Sequence, residues 1–400
     1  MHAGSLIDPA SARILANQRI RIVDGKIAAV SAWRDADGPA TIDWSAKTVL
    51  PGLIDLHTHI ADGATESSDP AEPLKHGEAA TILKAVPAAK TMLRAGFTTV
   101  RDVGVYRGLT DVALRDAINA GDIEGPRMFV AGGYITTPGG GGEIDALAPD
   151  IPLPETFRIG EVRSPADARD RARYLLDRGA DFIKLIATGA VLALGSEPGA
   201  LELSPEEMKA ACDEAKLRGS YCIAHAHGAE GIKAAIRAGA RTIEHASYLD
   251  AEGIALAKKS GVWLDMDIYN GDWIEEVGTK QGWPAEYLRK NRETTDVQRR
   301  GFAAAVKAGA KLTFGTDAAV YPYGLGGRQF AYMVRYGMSP MQAIQAATSE
   351  AARALRMEGQ VGSVAPGAYG DLIAVSGNPT TDIRVLERVD GVLKGGKLAR

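Results

Sequence analysis

The 400-residue sequence predicts an α/β fold: a (β/α)8 TIM barrel carrying a small β-sandwich formed by both chain ends. Three observations predict it. Eight short apolar runs rich in β-branched residues recur between residues 49 and 320. Longer stretches of helical period stand between them, several opening on Ser or Thr and closing on Gly. The two flanks differ in character and read as hairpin strands around Asp-Gly pairs.

In chain order, residues 1–47 contain NQRIRIVDGKIAAV, with the turn expected at Asp24-Gly25. The barrel runs follow as VLPGLIDLH, FTTVRDVG, RMFVAGGYI, DFIKLIATG, SYCIAHAHG, RTIEHASYL, VWLDMDIYN and KLTFGTDAAV. Helical patterns such as EAATILKAVPAAKTMLRAG, SPADARDRARYLLDRG, SPEEMKAACDEAKLRG, AEGIKAAIRAG and TTDVQRRGFAAAVKAG separate them, and SPMQAIQAATSEAARALRM closes the barrel. Residues 366–400 hold GDLIAVSGNP and RVDGVLKGGKLAR, with a second turn expected at Asp390-Gly391. Neither flank alone could bury a core, so residues 1–47 and 366–400 are expected to pair beside a barrel of residues 48–365. The glycine-rich run after the third strand, and roughly residues 269–298 after the seventh, are the long connections expected at the catalytic end.

Composition narrows the function. Hydrophobic residues make up 46% and charged residues 24%, as in an ordinary globular chain. The net charge of −4, without a basic block, argues against nucleic acid as a partner. No apolar run approaches a membrane span and no signal-like leader precedes SLIDPASARIL, so neither a membrane segment nor an export signal is expected. Cys212 and Cys222 are too few for a disulfide framework; Cys222 reads as an inert buried thiol, which fits a reducing, cytoplasmic setting.

The polar residues on the strands carry the chemistry. His57 and His59 stand two apart at the end of the first run, where strand alternation points both to one face. Lys184 interrupts the fourth run, His225 and His227 end the fifth, His245 the sixth and Asp317 the eighth. Any one histidine could be a satisfied core residue; five of the chain's seven gathered at strand ends suit a divalent metal, Zn²⁺ foremost, with a position open for water. Lys184 in an apolar strand must be neutralised, paired with a carboxylate such as Asp181 or Glu244, or modified to a carbamate that could bridge two metals. Arg101 and Asp102 read as a structural ion pair supporting loops. Tyr134, Trp273, Trp283, Tyr321 and Tyr323 fall in loops at the catalytic end, whereas Trp33 and Trp44 belong to the sandwich.

The joint set of HTH, a strand-four Lys, strand-five and strand-six His and a strand-eight Asp resembles the amidohydrolase superfamily in its binuclear form. Resemblance runs over nearly the whole chain, DLIAVSGNP in the return segment included. It implies two divalent ions, most simply Zn²⁺. His57, His59 and Asp317 would hold the buried ion and His225 and His245 the more exposed one, with N6-carboxylated Lys184 and a hydroxide bridging them. Of the two strand-five histidines, His225 is favoured as ligand because relatives use the histidine twenty residues before the EH of strand six, which is the spacing of His225 to His245. His227 would then face the substrate. Asp317 and Lys184 are the implied catalytic residues, with Asp317 shuttling a proton to the leaving nitrogen.

Within the superfamily the pattern is most similar to Xaa-Pro dipeptidase-like enzymes and to bacterial amidohydrolases that degrade ochratoxin A, which implies a small-molecule amide beside a carboxylate. The chain departs from that branch at PGGGGE, which lacks a histidine, at Tyr323 and at Glu230. These changes argue against a small, strictly dipeptide pocket. With Tyr134, Trp273, Tyr321 and Tyr323 as walls, a bulky, planar or apolar acyl group is favoured. A mononuclear deaminase or cyclic-imide hydrolase of the imidazolonepropionase kind is the alternative, resting on the His227-x-x-Glu230 spacing, and Lys184 speaks against it. A barrel that kept the fold and lost its site is the third reading, and six filled ligand positions oppose it. The resemblance also implies a homo-oligomer, an octamer among the forms.

Overall fold

In this computed structural model the described residues are 1–399, apart from Asp35, Asp37, residues 63–68, Asp145 and Pro149. The chain opens with β1 (His2–Asp8), β2 (Arg13–Val23), β3 (Lys26–Ala32) and β4 (Asp43–Pro51). Asp24 and Gly25 take φ of 49° and 76°, the paired positive values that a two-residue hairpin turn between β2 and β3 requires. Next come β5 (Leu53–Thr58), β6 (Phe97–Asp102), β7 (Arg127–Val130), β8 (Tyr134–Ile135), β9 (Ile183–Ile186), β10 (Cys222–Ala226), β11 (Thr242–His245), β12 (Trp263–Asp265) and β13 (Lys311–Thr313). The return adds β14 (Leu372–Val375), β15 (Gly391–Lys394) and β16 (Lys397–Leu398).

Among the described residues, β8 to β13 form a parallel sheet in consecutive order, and β5, β6 and β7 form a second parallel sheet. The run expected as a single third strand is thus divided. Gly132, at φ 74°, breaks it, so that β7 pairs with β6 and β8 with β9. Main-chain bonds cross both margins: Leu56 N–H donates to Phe314 O and Asp317 N–H to His57 O, each at 2.9 Å, and Asp181 N–H donates to Val130 O at 2.8 Å. Leu185, Ile243, Leu264 and Leu312 share one core with the helix residues Ala211, Ala235, Ala257 and Ala305. Each fully buried Leu or Ile stabilises the fold by roughly 1.5–3 kcal/mol, so the strand ends are held rigidly.

The two chain ends pair in one seven-stranded sheet, ordered β16-β15-β14-β4-β1-β2-β3. It has its own apolar cluster, in which Leu6, Ile20 and Val49 from the amino-terminal side meet Leu372 and Leu393 from the return. Asp390-Gly391 is not its turn. Gly391 begins β15 where an added Cβ would lie 2.6 Å from the Trp44 indole, and Gly395-Gly396, both at positive φ, make the turn to β16.

Two further expectations are corrected. The connection expected across residues 269–298 is largely helical: short helical segments run from Asn270 to Gln281, and a long helix, Ala285–Ala308, follows Pro284. Its buried stripe of Tyr287, Asn291, Thr294, Gln298, Phe302 and Ala305 keeps helical spacing, but the first four members line a cavity and are mostly polar, which hid the period before the expected TTDVQRRGFAAAVKAG segment. The cysteines are not free thiols. Cys212, on the helix Pro205–Leu217, and Cys222, at the start of β10, form a disulfide because that helix folds straight back onto its following strand, with Cα atoms 5.1 Å apart.

The disulfide removes the cysteine argument for a reducing compartment. Among the described residues no helix is long and apolar enough to cross a membrane. With a sequence separation of 10, the bond is worth about 3 kcal/mol in the chain-entropy account. Reduction, or the pair Cys212→Ala and Cys222→Ala, is expected to lower the urea midpoint accordingly; an unchanged midpoint with and without reductant would show the cross-link to be idle.

Candidate metal centre

The residues singled out in the sequence come to one end of the parallel strands. His57 is the penultimate residue of β5 and His59 lies one past its end; Lys184 is inside β9; His225 is inside β10 and His227 one past it; His245 ends β11; Asp317 follows β13 by four residues. Alternation brings each i, i+2 pair to one face, with ring centroids 5.4 Å apart for His57 and His59 and 4.7 Å for His225 and His227. Asp317 Oδ1 stands 3.4 Å from Nε2 of both His57 and His59. His245 sits between the two groups, its ring 4.7 Å from His57 and 4.6 Å from His225. Donor atoms of His57, His245 and Asp317 lie within 4.8 Å of one another, as do those of His225, His227 and His245.

Backbone strain helps to aim them. His245 and Asp317 have φ of 65° and 58°, unusual for residues with a Cβ. Neighbours in a regular strand point to opposite faces, yet Glu244 and His245 both reach His57, the first by a 3.0 Å hydrogen bond and the second by ring contact. Leaving the extended region at His245 makes that double approach feasible.

Each ring is also oriented through one nitrogen. His57 Nδ1 donates to Glu244 at 3.0 Å, His59 Nδ1 to Gly104 O at 2.9 Å, His225 Nε2 to Gly189 O at 3.1 Å and His245 Nδ1 to Asp267 at 3.0 Å. A carbonyl or carboxylate can only accept, so in the neutral form of each of the four rings the other nitrogen offers its lone pair to a metal. His227 differs, because Nδ1 lies 2.7 Å from Ser247 Oγ, and a hydroxyl serves either tautomer. Asp267 is held in turn by Gln298 at 2.8 Å and by Asn270.

The charges suit cations. Burial would raise the Asp317 carboxyl, but its hydrogen bond with His59 and the electrostatic pull of the neighbouring imidazoles hold it well below the usual carboxylate range. Burial lowers the imidazoles of His57, His225 and His227; against burial, Asp317 raises His59 to about 9 and Asp267 raises His245, so a cation arriving at His59 displaces a proton. Lys184 is 1% exposed. Burial brings its ammonium down to about 8, against the pull of Glu244. Neither partner considered for it is available. Asp181 pairs with Arg115 at 2.9 Å, Glu244 is taken by Arg101 and His57, and among the described residues no ion pair reaches Lys184. Lone pairs from four oriented imidazoles, an ionised carboxylate and an easily neutralised amine make a donor set that fits divalent metal ions.

The expected Arg101–Asp102 pair does not form, since adjacent strand residues point apart. Arg101, fully buried, donates to Leu56 O at 2.8 Å and to Glu244 at 3.0 and 3.1 Å, closing the floor behind His57. Asp102 instead accepts from Ile60 N–H at 2.5 Å and from the Thr58 hydroxyl at 3.2 Å.

A cavity of about 210 Å³ opens in front of these side chains. Tyr134 lines it, although its hydroxyl is engaged with Gly104 O at 3.1 Å and His59 Nδ1 at 3.0 Å. Tyr321, Tyr323 and Trp273 stand behind the lining: Tyr321 packs on Tyr269 at 5.0 Å and Trp273 at 6.4 Å, and the Tyr323 hydroxyl donates to His59 O at 3.3 Å. Trp283 is buried and donates to Gln281 at 2.9 Å. Sequence reasoning missed Tyr106 and Tyr287, which do line the cavity, and the orienting roles of Glu244, Asp267 and Gln298. Asp267 had a signal: LDMD places Asp265 and Asp267 two apart at the end of the seventh run, the same spacing as the histidine pairs.

Residues 48–399 match the Amidohydrolase family. The chain is similar to the crystal structure of a Xaa-Pro dipeptidase with methionine bound in its active site, with TM-score 0.91, 37% identity and coverage of 99% of this chain and 98% of that one. It is 31% identical over 421 residues to the ochratoxinase of Aspergillus niger, covering 100% of this chain and 86% of that protein. The crystal structure of A. niger ochratoxinase superposes with TM-score 0.85 at 30% identity, over 99% of this chain and 94% of that one.

Proposed function

The chain belongs to the amidohydrolase family, a hydrolytic enzyme acting on amide bonds, and from that premise we propose that it uses two divalent ions, most simply Zn²⁺, to cleave an N-acyl amino acid or dipeptide with a bulky aromatic acyl group, ochratoxin A being one such compound. The observation that carries this reading is Lys184. It is a buried amine without an ion-pair partner among the described residues, set on the strand beside His225, where a carbamate could join two ions. His57, His59 and Asp317 would hold one ion, His225 and His245 the other, and N6-carboxylated Lys184 both.

When bound, two such ions would lower the pKa of a water toward neutrality and polarise the scissile carbonyl. The remaining steps fall to the chain. Asp317 Oδ1 faces the two histidines, while Oδ2 lies 3.4 Å from Asn270 Nδ2 and would take a proton from the attacking water and return it to the leaving nitrogen. His227, whose hydrogen bond to the Ser247 hydroxyl is compatible with either tautomer, would hold the substrate carbonyl or carboxylate. Tyr106, Tyr134 and Tyr287 would pack the aromatic acyl group.

The same reading treats the two parallel sheets as one closed (β/α)8 barrel of residues 48–365, because main-chain bonds cross both margins, and the paired ends 1–47 and 366–400 as its sandwich. A homo-oligomer completes the proposal.

The test is a hydrolysis screen of the zinc-loaded chain against Xaa-Pro dipeptides, N-aroyl amino acids and ochratoxin A. Release of the free amino acid is expected; release of ammonia alone would contradict amide cleavage and favour a deaminase. Asp267→Ala frees His245 Nδ1 and is expected to weaken metal affinity about 10–100-fold, read by chelator competition. Unchanged affinity would remove His245 from the ligand set.

A further inference from the structure

We propose that Lys290, acting with Glu286, is a positioning residue that fixes the apolar loop 190–196 as the wall against which the substrate's acyl group packs. The inference rests on the amide-hydrolase reading and names what selects the acyl side.

After β9 the chain runs through AVLALGSEPGAL without forming a helix or strand over residues 190–200. Val191, Leu192 and Leu194 of this loop line the cavity and are only partly buried. Apolar side chains on an irregular loop hold a shape only if the backbone beneath them is tied down, because loop carbonyls without partners would turn to water.

Lys290 supplies the tie. Its side chain is fully buried, and its ammonium donates to the carbonyls of Ala193 and Ser196, lies 3.4 Å from that of Ala190, and pairs with Glu286 at 2.7 Å. An ammonium has three donors, and here three loop carbonyls and a carboxylate surround them, so a charge costly to bury is compensated. Glu286 takes a second hold, accepting from Gly195 N–H at 3.1 Å. The contrast with Lys184 is direct: one buried lysine is left without an ion pair inside the site, and the other is saturated by backbone outside it.

The tie also sets register. Lys290 and Glu286 belong to the helix Ala285–Ala308, which presents Tyr287, Asn291 and Thr294 to the cavity and holds Asp267, the partner of His245, through Gln298. One rigid element therefore fixes the acyl wall relative to the histidines. Loosening the tie should enlarge and blur the wall while the ligand set stays intact.

Lys290→Met keeps the aliphatic stem and removes the donors. Steady-state kinetics would compare N-acetyl-phenylalanine with N-(2-naphthoyl)-phenylalanine, alongside hydrogen exchange of amides 190–197 in the zinc-loaded protein. The expected result is a KM for the naphthoyl substrate raised at least about tenfold, with kcat for both within about twofold and faster exchange confined to the loop. Equal KM changes for both substrates, or unchanged exchange, would overturn the assignment. Should Lys290→Met fail to fold, Glu286→Ala at a partly exposed side chain gives the same two readouts with the same expected directions. If the unaltered enzyme cleaves neither amide, the functional reading falls, and exchange alone still decides the tie: faster in the variant supports it, unchanged overturns it.

Discussion

Lys184→Ala is expected to lower kcat by roughly 10³-fold or more, since it removes the group proposed to join two ions that together supply several kcal/mol of transition-state stabilisation. The loss should be recoverable in part. Removing a buried side chain leaves room beside β10, and a short-chain carboxylate such as acetate or propionate can enter it and replace the carbamate's two oxygens. Bound zinc should fall in the variant and rise again with the added acid. Activity retained without any added acid would mean that Lys184 is a packing residue whose amine has no part in the reaction.

Asp317→Asn is expected to reduce kcat by about 10²–10⁴-fold with little change in KM, the usual range for a lost proton carrier. Asparagine keeps the shape and can still accept one hydrogen bond, but it loses the charge that faces His57 and His59. Part of the effect would come through metal binding, and metal content separates the two causes. A variant with full zinc and depressed kcat isolates the proton role; a variant that turns over normally would contradict any role for Asp317 beyond packing.

The sequence carried the strand ends better than what surrounds them. His57-His59 and His225-His227 were legible because alternation is a strict property of extended backbone and two polar side chains two apart in an apolar run cannot all be packing residues. Glu244 was legible only as a candidate partner of Lys184; that it orients His57 while its neighbour His245 also faces the site depends on His245 leaving the extended conformation, and no local signal announces a φ of 65°. The helix from Ala285 was legible only from Thr294 onward, as TTDVQRRGFAAAVKAG; its first turns were hidden because the buried stripe is mostly polar where it faces the cavity. Tyr321 and Tyr323 were placed at the right end of the molecule but one layer too far forward, since sequence position fixes the loop and not which side chain turns inward. The disulfide escaped because two cysteines ten apart give no measure of the fold-back that brings their Cα atoms to 5.1 Å.

All of this turns on whether two ions work together at the strand ends. Zinc added stepwise to metal-free protein, with bound metal and amino acid release from an N-aroyl substrate read on the same samples, tests it most directly. Two ions per chain, with hydrolysis rising as the second binds, is the predicted result; full activity at one ion per chain, or hydrolysis without metal, would contradict it.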